Sequence, residues 1–228
     1  MKTLLLAPIS LCSCISLAQG DVSGDFSMVS DYRLRGISQS AGNPAIQGSF
    51  EININKSFYM GTWASSVDYG DQTSLELDYF LGYHGKVSEK VGYSATAIYL
   101  TFEGNDINDH NFWEGSFSVY FNDLSLNYTV AEDTLNTGLS SEHIALSYNH
   151  SLPYNAVIGF HSEHNFGEFY GQFDMPDYQN YEISLKKKYA DLEFKAAFLL
   201  VETKKEDEIN TGIFRNDEAF VFGIKKYF

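Results

Sequence analysis

Residues 75–84 read Leu-Glu-Leu-Asp-Tyr-Phe-Leu-Gly-Tyr-His. Leu75, Leu77, Tyr79, Leu81 and Tyr83 take every second place, and Glu76, Asp78, Phe80, Gly82 and His84 fill the places between them. A period of two marks a strand with one apolar face and one wetter face. The same alternation recurs at Leu124, Leu126, Tyr128 and Val130, with Ser125, Asn127 and Thr129 between. It returns at Leu192, Phe194, Ala196, Phe198 and Leu200. Marking every such run predicts about twelve strands, at 22–35, 45–56, 58–68, 73–86, 90–102, 111–121, 124–131, 142–150, 154–164, 178–188, 191–202 and 214–228.

The connections alternate in length. Gly36–Pro44, Asp68–Gln72, Glu103–His110, Glu132–Ser141, Asn165–Gln179 and Glu202–Ile213 are long and polar, whereas those near Lys56, Val87, Asn122, Ser151 and Tyr189 are short. One rim therefore carries loops and the other carries turns. The expected architecture is all-β: a transmembrane antiparallel up-and-down β-barrel of about twelve strands, with short periplasmic turns and longer extracellular loops. Hydrocarbon offers no hydrogen bonds, so the sheet must close on itself. Tyr59, Trp63, Tyr69, Tyr128, Tyr154 and Tyr189 stand near strand ends as candidates for interfacial girdles.

Composition agrees. The chain has 228 residues, 15 Lys+Arg against 30 Asp+Glu, and a formal net charge of −15. That balance excludes a nucleic-acid binder, which needs a basic stripe against phosphate. Mean hydropathy is −0.22, and no long uncharged apolar run suits a spanning helix. Acids crowd the long loops, as at Glu132, Asp133, Asp174, Glu206, Asp207 and Glu208. Lysines gather near the turns, among them Lys56, Lys86, Lys90 and Lys186–Lys188. This describes either two solvated rims or an acidic outer mouth.

Residues 1–18 read as a secretory leader, with Lys2 before an apolar stretch and Ser16-Leu17-Ala18 as the cleavage site. The barrel domain is then 19–228. Cys12 and Cys14 leave with the leader, so no disulfide is expected. A lipoprotein cut at Cys14 is disfavoured by the bulk of Leu11 and Cys12. At the other end, Phe220, Phe222 and Ile224 share a face before the final Phe228. This resembles the C-terminal signal of outer-membrane proteins and implies the barrel-assembly machinery as a partner.

Parity assigns the faces of each strand. Phe26, Met28, Tyr32 and Leu34 are expected to meet lipid, with Asp31, Arg33 and Arg35 inside. Gln47 and Glu51 point inward on the second strand, Glu76 and Asp78 on the fourth, and Glu114 on the sixth. Glu182, Lys186, Glu193 and Lys195 join them from the tenth and eleventh. The candidate pore-lining set is Asp31, Arg33, Arg35, Gln47, Glu51, Glu76, Asp78 and Glu114. Two guanidiniums opposite carboxylates either set a transverse field that filters solutes or pair across the interior and fill it. Twelve strands lie between the filled eight-stranded barrel and the open channel of about 16–18 strands, so any channel is narrow.

Signals for chemistry are weak. His161-Ser162-Glu163-His164 is the one compact cluster. Alternation splits it between two faces, against a triad. Glu103–Asp109 is rich in oxygen donors but lacks EF-hand spacing. The expectation is no enzyme, no cofactor and no metal.

The segment Asp31-Tyr32-Arg33-Leu34-Arg35-Gly36-Ile37-Ser38-Gln39-Ser40, with Pro44–Gly48, resembles the signature of the TorF-type porins, a conserved hypothetical outer-membrane barrel family of proteobacteria. Gly61–Asp68, Leu75–Asp78 and the closing Lys-Lys-Tyr-Phe fit its pattern. Leu34 departs from it, standing where Phe is frequent. The resemblance implies a barrel in the outer membrane of a Gram-negative bacterium. It brings no settled substrate.

The function expected is a narrow passive channel for small hydrophilic solutes or ions. The alternative is a closed barrel with a structural or adhesive surface role, and a lipid hydrolase using Ser162 or His161 is a third, weaker reading. Outer-membrane lipid and lipopolysaccharide are the expected surroundings. No nucleic acid is implied, and whether the barrel is a homo-oligomer is left open.

Overall fold

The computed structural model describes residues 21–104, 110–172, 177–203 and 218–228. The expected leader lies outside them, as do Asp106, Asp109, Asp174, Glu206, Asp207 and Glu208. Twelve strands close an antiparallel barrel. They are β1 (Val22–Val29), β4 (Ala45–Asn53), β5 (Phe58–Ser66), β6 (Leu75–Lys86), β7 (Val91–Glu103), β8 (Phe112–Phe121), β9 (Leu124–Ala131), β10 (Ser141–Leu152), β11 (Ala156–Phe166), β12 (Tyr178–Tyr189), β13 (Leu192–Thr203) and β14 (Ala219–Tyr227). Two further short strands, β2 (Arg33–Leu34) and β3 (Ile37–Ser38), pair only with each other.

The period of two becomes the two faces of the wall. Tyr79 and Leu81 are exposed on the outside of β6, while Glu76 is only 1% exposed on its inside. Trp113, Phe117, Ile144, Leu146, Phe160 and Ile183 continue the apolar outer belt on other strands. Pairing of β1 with β14 runs from Asp25↔Tyr227 to Val29↔Gly223 and completes the ring. Gly24 and Phe228 then exchange backbone hydrogen bonds of 3.1 and 3.0 Å. The Phe228 ring lies against Gly24, where an added Cβ would meet it at 2.6 Å. The closing phenylalanine is thus part of the seam.

The first strand is shorter than the alternation predicts. Ser30 makes the last rung, donating from its N–H to Phe222 O at 2.8 Å and accepting from Phe222 N–H on Oγ at 2.9 Å. Beyond it, Arg35 and Gly36 adopt positive φ values of 53° and 82°. Positive φ at both central residues is the pattern of a tight two-residue turn that matches strand twist. Residues 33–38 therefore fold back on themselves and enter the barrel. Tyr32 and Leu34 do not face outward. Tyr32 packs with Ala45 and Val67, and Leu34 and Trp63 flank that cluster. Trp63 meets Tyr32 edge-on at 5.4 Å, so it too belongs to the interior. Tyr59 also leaves the expected girdle: its hydroxyl bonds Thr96 at 2.7 Å over Gly82. Tyr154 and Tyr189 remain outside and exposed.

A second apolar core sits at the long-loop end. Ile37 of the inner hairpin packs with Phe169, Tyr170, Tyr178 and Val201, flanked by Leu135 and Leu139. Phe169 and Tyr170 come from α1 (Glu168–Gln172), one short turn in the loop after β11. The long connections expected to be solvated thus partly turn inward, because their apolar residues have no other place to be buried.

Candidate functional site

The interior divides into two chambers, with the β2–β3 hairpin between them. Asp31 anchors its base. Its Oδ1 accepts from Ser38 Oγ at 2.6 Å and Ser40 Oγ at 3.2 Å, and its Oδ2 accepts from Arg33 Nε at 2.6 Å. Arg33 also donates from Nη1 to Gly36 O at 3.1 Å. Tyr69 donates to Gln39 Oε1 at 3.0 Å and the Asp68 N–H to Gln39 O at 2.9 Å, which ties the segment to the next long loop.

The hairpin tip spans the lumen. Arg35 Nη2 donates to Glu114 Oε1 and Oε2 at 2.8 and 2.9 Å, on the far strand β8. Its Nε stands 4.0 Å from Glu163 Oε1 on β11. Burial works against the Arg35 charge, but Glu114, with Glu163 and others, more than offsets this and holds its pKa above the ordinary value. Gly36 touches the wall at β12 and β13. A Cβ there would lie 2.6 Å from Val201 Cγ2 and 2.8 Å from Asn180 Cβ.

This contact makes a prediction. Valine at position 36 adds bulk where there is no room and a branched side chain where φ is positive. The Gly36→Val hairpin should leave its seat while the barrel stays intact. Trypsin should then cut after Arg33 or Arg35, which the wild-type protein shields, in a barrel that keeps its heat-shifted gel mobility. Unchanged resistance would show that the wall yields to the added side chain.

On the short-turn side, the lower chamber has a volume of about 370 Å³. Gln47, Glu182, Lys186, Glu193 and Lys195 line it with Asp31 and Arg33. Its charges are largely matched: Lys195 lies 2.7 Å from Glu182, and Lys225 lies 3.1 Å from Asp25. On the long-loop side, the upper vestibule has about 260 Å³ and is mainly aromatic. Tyr69, Phe102, Phe112, Tyr170 and Tyr178 form its walls, with Arg35 and Glu76 among them. Tyr69 and Phe102 rings are 5.9 Å apart, Phe102 and Phe112 are 6.3 Å apart, and Tyr170 meets Tyr178 edge-on at 5.4 Å. Burial pushes the Tyr170 phenol up to about 12 and that of Tyr69 well above its usual value, so both walls stay neutral at physiological pH.

The structure groups the predicted residues into sets. Asp31 with Arg33 forms the hairpin base, and Arg35 with Glu114 forms its crossing contact. Both guanidiniums are on this inserted segment, not on the barrel wall. Glu76 and Asp78 lie inside on β6, and Tyr32 hydrogen-bonds Glu76. Glu76 Oε2 and Asp78 Oδ1 are buried without a hydrogen-bond partner among the described residues. Gln47 reaches Ser65 Oγ at 3.3 Å. Glu51 stands apart towards the short turns, accepting from Asn53 Nδ2 at 3.5 Å.

The lumen also holds buried polar residues outside the predicted set. His143 Nδ1 donates to Asn165 Oδ1 at 2.8 Å, and Asn165 Nδ2 donates to Asn180 Oδ1 at 2.7 Å. This buried chain joins β10, β11 and β12 and is in phase with Glu163 and Glu182. His161 contacts Glu163 at 3.4 Å, but Ser162 accepts from Gln179 Nε2 on the other face at 2.7 Å. The four-residue cluster therefore forms no triad.

A closed twelve-stranded antiparallel barrel with an apolar outer belt and a charged interior is the fold of a membrane-spanning β-barrel. The chain belongs to the Gcw_chp family, described as bacterial proteins of unknown function, whose sequence model matches residues 17–228. No curated protein matches it in sequence. Its fold is similar to that of the KdgM porin, with a TM-score of 0.59 and 11% identity over 90% of this chain and 99% of that one. A second KdgM structure, in complex with disordered oligogalacturonate, gives 0.58 and 9% over 91% and 98%. The COG4313 outer membrane channel from Pseudomonas putida F1 gives 0.50 and 10% over 93% and 96%. At such identities the likeness concerns the fold alone.

Proposed function

We propose that this protein is a narrow passive channel of the Gram-negative outer membrane, admitting small hydrophilic solutes or ions. The observation that carries the reading is the lumen itself: a charged chamber and an aromatic vestibule on either side of one inserted hairpin. Nothing in the reading calls for catalysis or a cofactor. The outer-membrane channels that share the fold support it, as does the TorF-type likeness of the hairpin segment. Lipid and lipopolysaccharide would surround the belt, and the seam at Phe228 suits a substrate of the barrel-assembly machinery.

Planar-bilayer recording of the refolded protein under a salt gradient tests this. Discrete steps with a defined reversal potential are expected. Lys186 has a position in the lower chamber beside Lys195, so Lys186→Glu should move the reversal potential towards cation preference. A barrel with heat-shifted mobility that stays silent, both as wild type and without the hairpin, would favour a structural or adhesive surface role.

A further inference from the structure

We infer that the upper vestibule binds an organic ammonium group, with Glu76 as its counter-carboxylate and the aromatic walls as its cradle. This rests on the channel reading, since it names the class of solute that enters. Glu76 lines the vestibule, is 1% exposed, and leaves Oε2 without a hydrogen-bond partner among the described residues. A buried carboxylate oxygen in that state is costly unless a donor, best a charged one, meets it. Asp78 is two residues along the same face of β6, and its Oδ1 also has no hydrogen-bond partner among the described residues.

Arg35 does not fill this role. Its guanidinium is committed to Glu114 at 2.8 Å, with Glu163 next to it. Among the described residues, Arg35 is the one Lys or Arg side chain at the vestibule and it is already paired, and Glu76 and Asp78 remain as acids without an ion pair among those residues. Asp71 adds a further acid at the vestibule.

The walls have matching chemistry. Tyr69, Phe102, Phe112, Tyr170 and Tyr178 all line the same space. Ring faces attract cations, and desolvation strengthens that attraction. A volume of about 260 Å³ accepts a small amine and excludes a large one. An acid beneath aromatic rings selects a positively charged head on an apolar body. A neutral solute gains only the rings, and an anionic one meets repulsion from Glu76.

Three probes of one shape separate these cases: 2-phenylethylammonium, 2-phenylethanol and 3-phenylpropionate. Calorimetric titration into the detergent-solubilised protein should rank the ammonium first, about tenfold tighter than the alcohol, with the carboxylate weakest. Glu76→Gln should erase the preference for the ammonium over the alcohol. If that variant lacks heat-shifted mobility, Phe102→Leu serves instead and should weaken ammonium binding severalfold. Equal affinities for the three probes, or a carboxylate that binds tightest through Arg35, would overturn the inference. An ammonium-selective barrel that is silent in bilayers overturns the channel reading and leaves this one. A conducting barrel that ranks the probes equally overturns this one alone.

Discussion

Replacing residues 33–38 by two glycines should raise single-channel conductance severalfold and suppress closures. The hairpin is the element that stands between the lower chamber and the vestibule, and its excision joins them. Its ends are already close, because Tyr32 O accepts from the Gln39 N–H at 2.7 Å. A two-glycine link can therefore span the gap without pulling on β1 or β4. None of the twelve wall strands includes these residues, so the ring of backbone hydrogen bonds survives. Heat-shifted mobility verifies the barrel, and planar-bilayer recording reads the effect. An unchanged conductance in a folded variant would place the resistance elsewhere, in the apolar core formed by Phe169, Tyr170 and Tyr178.

Arg35→Ala should be the most disruptive single substitution in the lumen. The guanidinium side chain is 14% exposed and its Glu114 partner 7%, so solvent screens the pair little. Removing one partner of a buried ion pair typically costs about 3–5 kcal/mol, because the other is left as an uncompensated charge. Here that cost falls on docking of the hairpin, since Glu114 is held by the wall. The variant should gain open-channel noise and tryptic cleavage after Arg33. Adding Glu114→Gln removes the stranded charge, so the double variant should be milder than Arg35→Ala alone. Equal behaviour of the single and double variants would show that the two side chains are not coupled.

Most of the barrel was legible in the sequence because one physical rule repeats. At Leu75–Lys86, alternation gave the strand, its outer face and the inward Glu76 and Asp78. Loop lengths gave the up-and-down order. The rule failed at Asp31–Arg35, where alternation runs on but the chain does not. Tyr32 and Leu34 keep the period of a strand while Arg35-Gly36 carries a turn, and only the glycine hinted at it. Trp63 departs from the expected girdle for another reason: aromatic type does not set the face, and its pairing opposite Asp78 puts it inside. The vestibule was illegible. Tyr69, Phe102, Phe112 and Tyr170 are far apart in sequence, and two of them come from loops with no periodicity to read. Glu163 and His143 could have been found, since each is in phase with polar neighbours on its strand.

The β1–β14 junction has five register pairs, from Asp25↔Tyr227 to Val29↔Gly223, whereas β12 and β13 pair over their full lengths. The inserted segment starts from this junction at Ser30, which bonds β14, and ends at Glu114 on the opposite side. A tie rod set across a hoop at its weakest joint resists ovalisation and keeps the joint shut. The hairpin thus acts as an internal brace as well as a partition, and a solute that displaces it would soften the whole hoop.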